Sequence, residues 1–139
     1  MNKEELKAII PVTYSMLIID EATKISEDTS VGKKTIVGDE WFLDGHFPGN
    51  PIVPGVILCE MMAQTSAIII AEKSAVSTPY FTSIEKARFK EMVRPGDTFE
   101  IECKLTRNRG MFYFIEGKGT VNGKLCVSAN FSFALIERE

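Results

Sequence analysis

Two side chains suited to exchanging protons stand at the ends of one segment, GHFPGNPIVPGVILCE, residues 45–60. His46 is the only histidine of the 139 residues, and it sits in a loop punctuated by Gly45, Gly49, Pro48, Pro51 and Pro54. Its imidazole, with a reference pKa of about 6.5, is available as a base at pH 7. Glu60 lies in an otherwise apolar stretch. A carboxyl group serves as an acid only while it stays protonated, and burial among Val56, Ile57, Met61 and Ala63 favours that form by desolvation. The start of its own helix would favour the charged form instead; desolvation is expected to win. Base and acid together suit a reaction that removes one proton and delivers another.

Two further groups belong to this constellation. Gly55, just inside the helix start, can present an unpaired N–H to a polarised oxygen with no side chain in the way. Gln64 lies one turn beyond Glu60 on the same helix face and can hold the carboxyl group in place. Each residue also has a structural reading. A loop histidine can simply fix a loop, Glu60 and Gln64 can be a satisfied buried polar pair, and Gly55 can be required for packing.

The elements that must position these groups follow from periodicity. Pro54 suits a first helical turn, and the apolar run predicts a helix from there to about Lys73. Residues 2–9 suggest a short helix stopped by Pro11, and 14–25 and 31–38 two strands. A strand is expected over 80–90. Phe99, Ile101, Cys103 and Leu105 alternate with polar residues, the period of a half-buried strand. Leu125 to Leu135 alternates likewise, and Asn122-Gly123 between 111–121 and 124–136 is a two-residue hairpin signal. The sum is an α+β domain spanning residues 1–139, an antiparallel sheet with one helix apolar nearly all round. Such a helix needs cover on every side, which predicts a dimer.

Composition narrows the classes. At 45% hydrophobic, 25% charged and net charge −3, the chain is a globular domain without the basic excess of a nucleic-acid binder. Cys59, Cys103 and Cys126 form no CxxC pair, and read as reduced core thiols of a cytosolic protein. The start, MNKEELKAII, does not read as a signal peptide. Residues 51–71 approach transmembrane length, but Glu60, Gln64, Thr65 and Ser66 interrupt them, so a buried helix is expected rather than membrane insertion. One histidine and scattered acids do not supply the usual ligand sets, so no metal or other cofactor is expected.

The segment GHFPGNPIVPGVILCEMMAQ resembles the signature of the β-hydroxyacyl-acyl-carrier-protein dehydratases of the FabZ type, which have the hot-dog fold. SIEKARFKEMVRPGDTFEIECKL and GKGTVNGKLCVSANFSFALIE are similar to later parts of that family. The stretch Val12-Thr13-Tyr14-Ser15-Met16 departs from its usual His-Arg-Tyr-Pro-Phe-like opening. The resemblance implies a sheet wrapped around a central helix, dimers that gather into trimers of dimers, and active sites at the dimer interface. It implies dehydration of 3-hydroxyacyl thioesters to trans-2-enoyl thioesters in fatty acid or related acyl-chain synthesis, with His46 as base and Glu60 as acid. Gly55, Val56 and Gln64 would line the substrate site. Tyr80 and Phe81 would gate an acyl tunnel, although two aromatics opening a strand also read as core, as do Ile68, Ile69 and Ile70.

The substrate would arrive on the phosphopantetheine of an acidic acyl carrier protein. Lys86, Arg88, Lys90 and Arg94 form one basic group able to dock it, and Lys104, Arg107 and Arg109 another. A solvated strand face with Glu85 and Glu91 interspersed is the plain alternative. Two other functions remain open: a hot-dog thioesterase or enoyl isomerase, and a non-catalytic acyl-ligand-binding protein.

Overall fold

Alternation in the second half of the chain builds the longest strands. The computed structural model describes residues 1–7, 17–43, 49–70 and 77–137. The strand Thr98–Arg109 (β4) buries Phe99, Ile101 and Cys103 and exposes Glu100, Glu102 and Lys104, as a sheet with one covered face requires. Phe112–Val121 (β5) and Lys124–Glu137 (β6) form the expected hairpin. At its turn Asn122 and Gly123 have φ of 52° and 79°, the paired positive values of a turn whose twist suits a hairpin.

The remaining strands are Glu21–Lys24 (β1), Thr29–Thr35 (β2) and Ser77–Phe89 (β3). All six join one antiparallel sheet in the order β1-β2-β4-β5-β6-β3. A short helix, Lys3–Lys7 (α1), and a 3-10 turn at Trp41–Leu43 complete the first half. The long helix Gly55–Ala67 (α2) lies against β2, β4 and β5. Two bonds tie it to the sheet: the Ser30 hydroxyl donates to the Thr65 carbonyl at 2.8 Å, and the Cys103 thiol to the Met62 carbonyl at 3.2 Å. Met61, Met62, Phe99, Ile115 and Val127 fill the core between them. All three cysteines are free and buried.

Several boundaries differ from the sequence expectations. The α-helix stops at Ala67 and tightens into a 3-10 turn over Ile68–Ile70, where three β-branched residues in a row crowd the preceding turn; residues 71–73 lie outside the described residues. Of the strand expected over 14–25, residues 14–16 lie outside the described residues, and within 17–25 the strand is Glu21–Lys24. Leu17, Ile18 and Ile19 are buried without joining the sheet, because Ile18 donates its backbone N–H to the side-chain oxygen of Gln64 at 3.0 Å instead. The strand expected over 31–38 runs from Thr29 to Thr35. Its far end is diverted when the Glu40 carboxylate accepts the N–H groups of Val37 and Gly38, both at 2.9 Å. The departing stretch Val12 to Met16 lies outside the described residues.

Candidate active site

Helix α2 starts without a side-chain cap. Pro54 has φ −57° and ψ 138°, and its carbonyl accepts the N–H groups of Ile57 and Leu58. The first helical N–H groups, at Gly55 and Val56, therefore point out of the helix start with no partner inside it. The approach is pinned by the Val53 N–H, which donates to the Val93 carbonyl at 2.8 Å. A Cβ added at Gly55 would stand 2.8 Å from the Phe89 ring, so this glycine is required for close approach. Phe89 ends β3 and remains about half exposed over that site.

The sheet buries Leu58, Cys59, Met61, Met62 and Thr65 of α2, and leaves Val56, Glu60 and Ala63 less covered. Their spacing of four and three places them on one stripe. Val56 is 75% exposed at its outer end. Glu60 lies half-buried in its middle. Burial pushes the Glu60 carboxyl above its ordinary pKa, against a smaller opposing effect of the hydrogen bond from Gln64. Gln64 itself is 3% exposed. Since its oxygen already accepts from Ile18, its NH2 is the end that faces Glu60.

Tyr80 and Phe81 lie on β3, which pairs only with β6 and forms one edge of the sheet. Both are exposed, and Phe81 packs edge-on against Phe131 with ring centroids 5.8 Å apart. Ile84 is also exposed on this edge, so among the described residues the outer side of β3 has no strand partner and carries apolar side chains. Ile68, Ile69 and Ile70 are buried.

Lys86, Arg88, Lys90 and Arg94 are exposed near the end of β3 and the loop after it. Lys86 has a positive φ of 52° in a β-bulge that interrupts pairing between Glu85 and Arg88. Glu91 pairs with Lys124 at 2.9 Å rather than with a member of that group. The second basic group sits on β4, where Arg107 stacks over the Phe114 ring at 4.2 Å. His46 lies outside the described residues.

Sequence reasoning missed one cluster. Lys34 is nearly buried on β2, with its ammonium 3.2 Å from the Glu40 carboxylate and 3.4 Å from that of Asp20. The signal was there: Lys34 shares the inward parity of Ser30 and Gly32, an unusual place for a charge. Among the described residues no group of three histidine, cysteine or acidic side chains is placed to hold a metal ion. Among the same residues no helix is long and apolar enough to cross a membrane.

Comparison with known proteins identifies the family and the fold. The family model of the FabA-like domain matches residues 10–130. The 3-hydroxyacyl-[acyl-carrier-protein] dehydratase FabZ of Clostridium perfringens is 39% identical over 137 residues, covering 97% of this chain and 99% of that protein. The corresponding protein of Bacillus velezensis is 36% identical over 140 residues, covering 99% of each. Among solved structures, the dehydratase heterocomplex ApeI:P from Xenorhabdus doucetiae superposes with a TM-score of 0.82 at 19% identity, over 96% of this chain and 91% of that one. A hypothetical thioesterase from Streptococcus pneumoniae with coenzyme A gives 0.66 at 16% identity, over 86% and 88%. At such identities these two structures speak for the shared hot-dog fold alone.

Proposed function

The chain belongs to the FabA-like domain family, as a FabZ-type hot-dog protein, and on that premise we propose how it dehydrates 3-hydroxyacyl thioesters carried by acyl carrier protein. His46 takes the α-proton next to the thioester carbonyl. The electron pair expels the 3-hydroxyl group, which leaves as water after receiving the proton of Glu60. The products are the trans-2-enoyl thioester and water. The Gly55 N–H, at the uncapped helix start, holds the thioester oxygen while charge builds on it.

The observation that supports this reading best is the state of Glu60. Burial raises its pKa, so the carboxyl group tends to hold the proton that a poor leaving group needs. Gln64 donates to one Glu60 oxygen, which leaves the proton to the other oxygen. A thioesterase needs a water-activating carboxylate, a role that a raised Glu60 pKa does not favour.

The apolar edge strand β3 and the open stripe of α2 fit a second copy of the chain, pairing β3 with β3 and bringing the His46 loop of one protomer to the Glu60 of its partner. Trimers of such dimers are the larger assembly in this reading. Val56, Tyr80 and Phe81 lie along the acyl path, and Lys86, Arg88, Lys90 and Arg94 receive the acidic carrier. The reaction takes place in the cytoplasm and uses no cofactor.

Crotonyl thioester offered to the protein tests the reading. Loss of the conjugated enoyl absorbance without release of free thiol is the expected result. Free thiol would instead indicate a thioesterase, and tight binding without turnover a ligand-binding protein. His46→Ala should lower kcat about 10²–10⁴-fold, the usual cost of losing a general base; a variant retaining more than about a tenth of the wild-type rate would remove His46 from that role.

A further inference from the structure

We propose that Lys34 is a positioning residue, whose ammonium locks the chain leading to the His46 loop onto the chain that supports Glu60. The inference rests on the acid–base reading above. Lys34 sits between two carboxylates, Glu40 at 3.2 Å and Asp20 at 3.4 Å. Each carboxylate also fixes backbone: Glu40 accepts the N–H groups of Val37 and Gly38, and Asp20 that of Thr35 at 2.8 Å.

The two arms lead to the two halves of the chemistry. Glu40 directly precedes the turn Trp41–Leu43, whose Phe42 and Leu43 are buried, and His46 follows Glu40 by six residues in sequence. Asp20 follows Ile18 by two residues, and the Ile18 N–H holds the oxygen of Gln64, the donor to Glu60. One cation thus joins the supports of the base loop and of the acid.

Burial separates this contact from four other ion pairs among the described residues. Lys24–Glu27, Lys33–Glu21, Lys118–Glu116 and Lys124–Glu91 are solvent-exposed and contribute little. The side chains of Lys34 and Glu40 are 11% and 8% exposed. Desolvating such a pair consumes much of its attraction, so its best-attested use is to select one arrangement of the chain over others.

The test uses the double variant Lys34→Met/Glu40→Gln, which removes both charges of the more buried pair, leaves the more exposed Asp20 carboxylate and keeps an acceptor for a backbone N–H. Trp41, the only tryptophan of the chain, reports on the turn independently of turnover. We expect an unchanged far-UV dichroism spectrum, more efficient acrylamide quenching of Trp41, and kcat about 10- to 100-fold lower with KM little altered, as for a misplaced catalytic group. Lys34→Arg, which keeps the charge, should recover part of both signals. A folded double variant with wild-type quenching and wild-type kcat overturns the proposal. Loss of function in the wild type itself would sink the dehydratase reading instead, and the Trp41 signal would then still decide whether Lys34 sets the turn.

Discussion

The side-chain oxygen of Gln64 accepts the backbone N–H of Ile18 at 3.0 Å, across 46 positions of sequence. The bond leaves the Gln64 NH2 no freedom to exchange places with the oxygen, and so it faces Glu60 as a donor. A buried amide of the helix thereby presents a donor to Glu60, the acid of the proposed reaction.

Gln64→Leu should therefore act twice. It strands the Ile18 N–H, a loss of about 1–3 kcal/mol for an unsatisfied buried donor, and it frees the Glu60 carboxyl to rotate. Thermal unfolding should show the first effect as a Tm lowered by several degrees, and steady-state kinetics the second as a lower kcat. A variant with wild-type kcat would separate Gln64 from the acid.

Glu60→Gln should lose activity by a hundredfold or more, as removal of a general acid does, with stability that depends on pH relative to the parent. The folded-state pKa of Glu60 lies above its ordinary value of 4.5. Folding therefore favours the protonated form: its contribution is fully present below 4.5 and is lost as pH rises through the raised folded value. The amide does not titrate. The variant should match the wild type in acid and gain on it toward alkaline pH, as melting curves at both ends of the range would reveal. A variant that is the less stable protein at alkaline pH would mean that an ionised Glu60 holds the structure together.

Gly55→Ala should cost activity without unfolding the chain. The new methyl group meets the Phe89 ring at the helix start, so either the ring or the N–H donor must shift. Pairing it with Phe89→Leu should return part of the lost kcat, and a double variant no better than the single one would exclude the ring as the cause.

Mixing inactive His46→Ala and Glu60→Gln chains, unfolded and refolded together, should restore about a quarter of wild-type activity. Half of the dimers assort as hetero pairs, each with one intact site of two under two-fold symmetry. Heterodimers confirmed by native mass spectrometry but lacking activity would place base and acid within one chain.

Local patterns were enough for much of this protein. Alternation along Phe99–Leu105 and Leu125–Leu135 announced β4 and β6, because side chains of a strand change face at every residue. Asn122-Gly123 announced its turn, because few other pairs accept two positive φ values. His46, Gly55, Glu60 and Gln64 stood out as candidates because their types and spacing carry chemistry in any fold. What the sequence left undetermined depends on contacts between distant residues. Residues 17–19 have the composition of a strand, yet they pair with no strand because Gln64 takes the Ile18 N–H. β2 ends at Thr35 because Glu40 folds back on Val37 and Gly38. The parity of Lys34 with Ser30 and Gly32 gave its face, but its partners Asp20 and Glu40 come from chain that only the fold brings together. Periodicity reads which face a residue takes; only the packed chain decides what waits on that face, and therefore which charges are paired, which are desolvated and which donors remain.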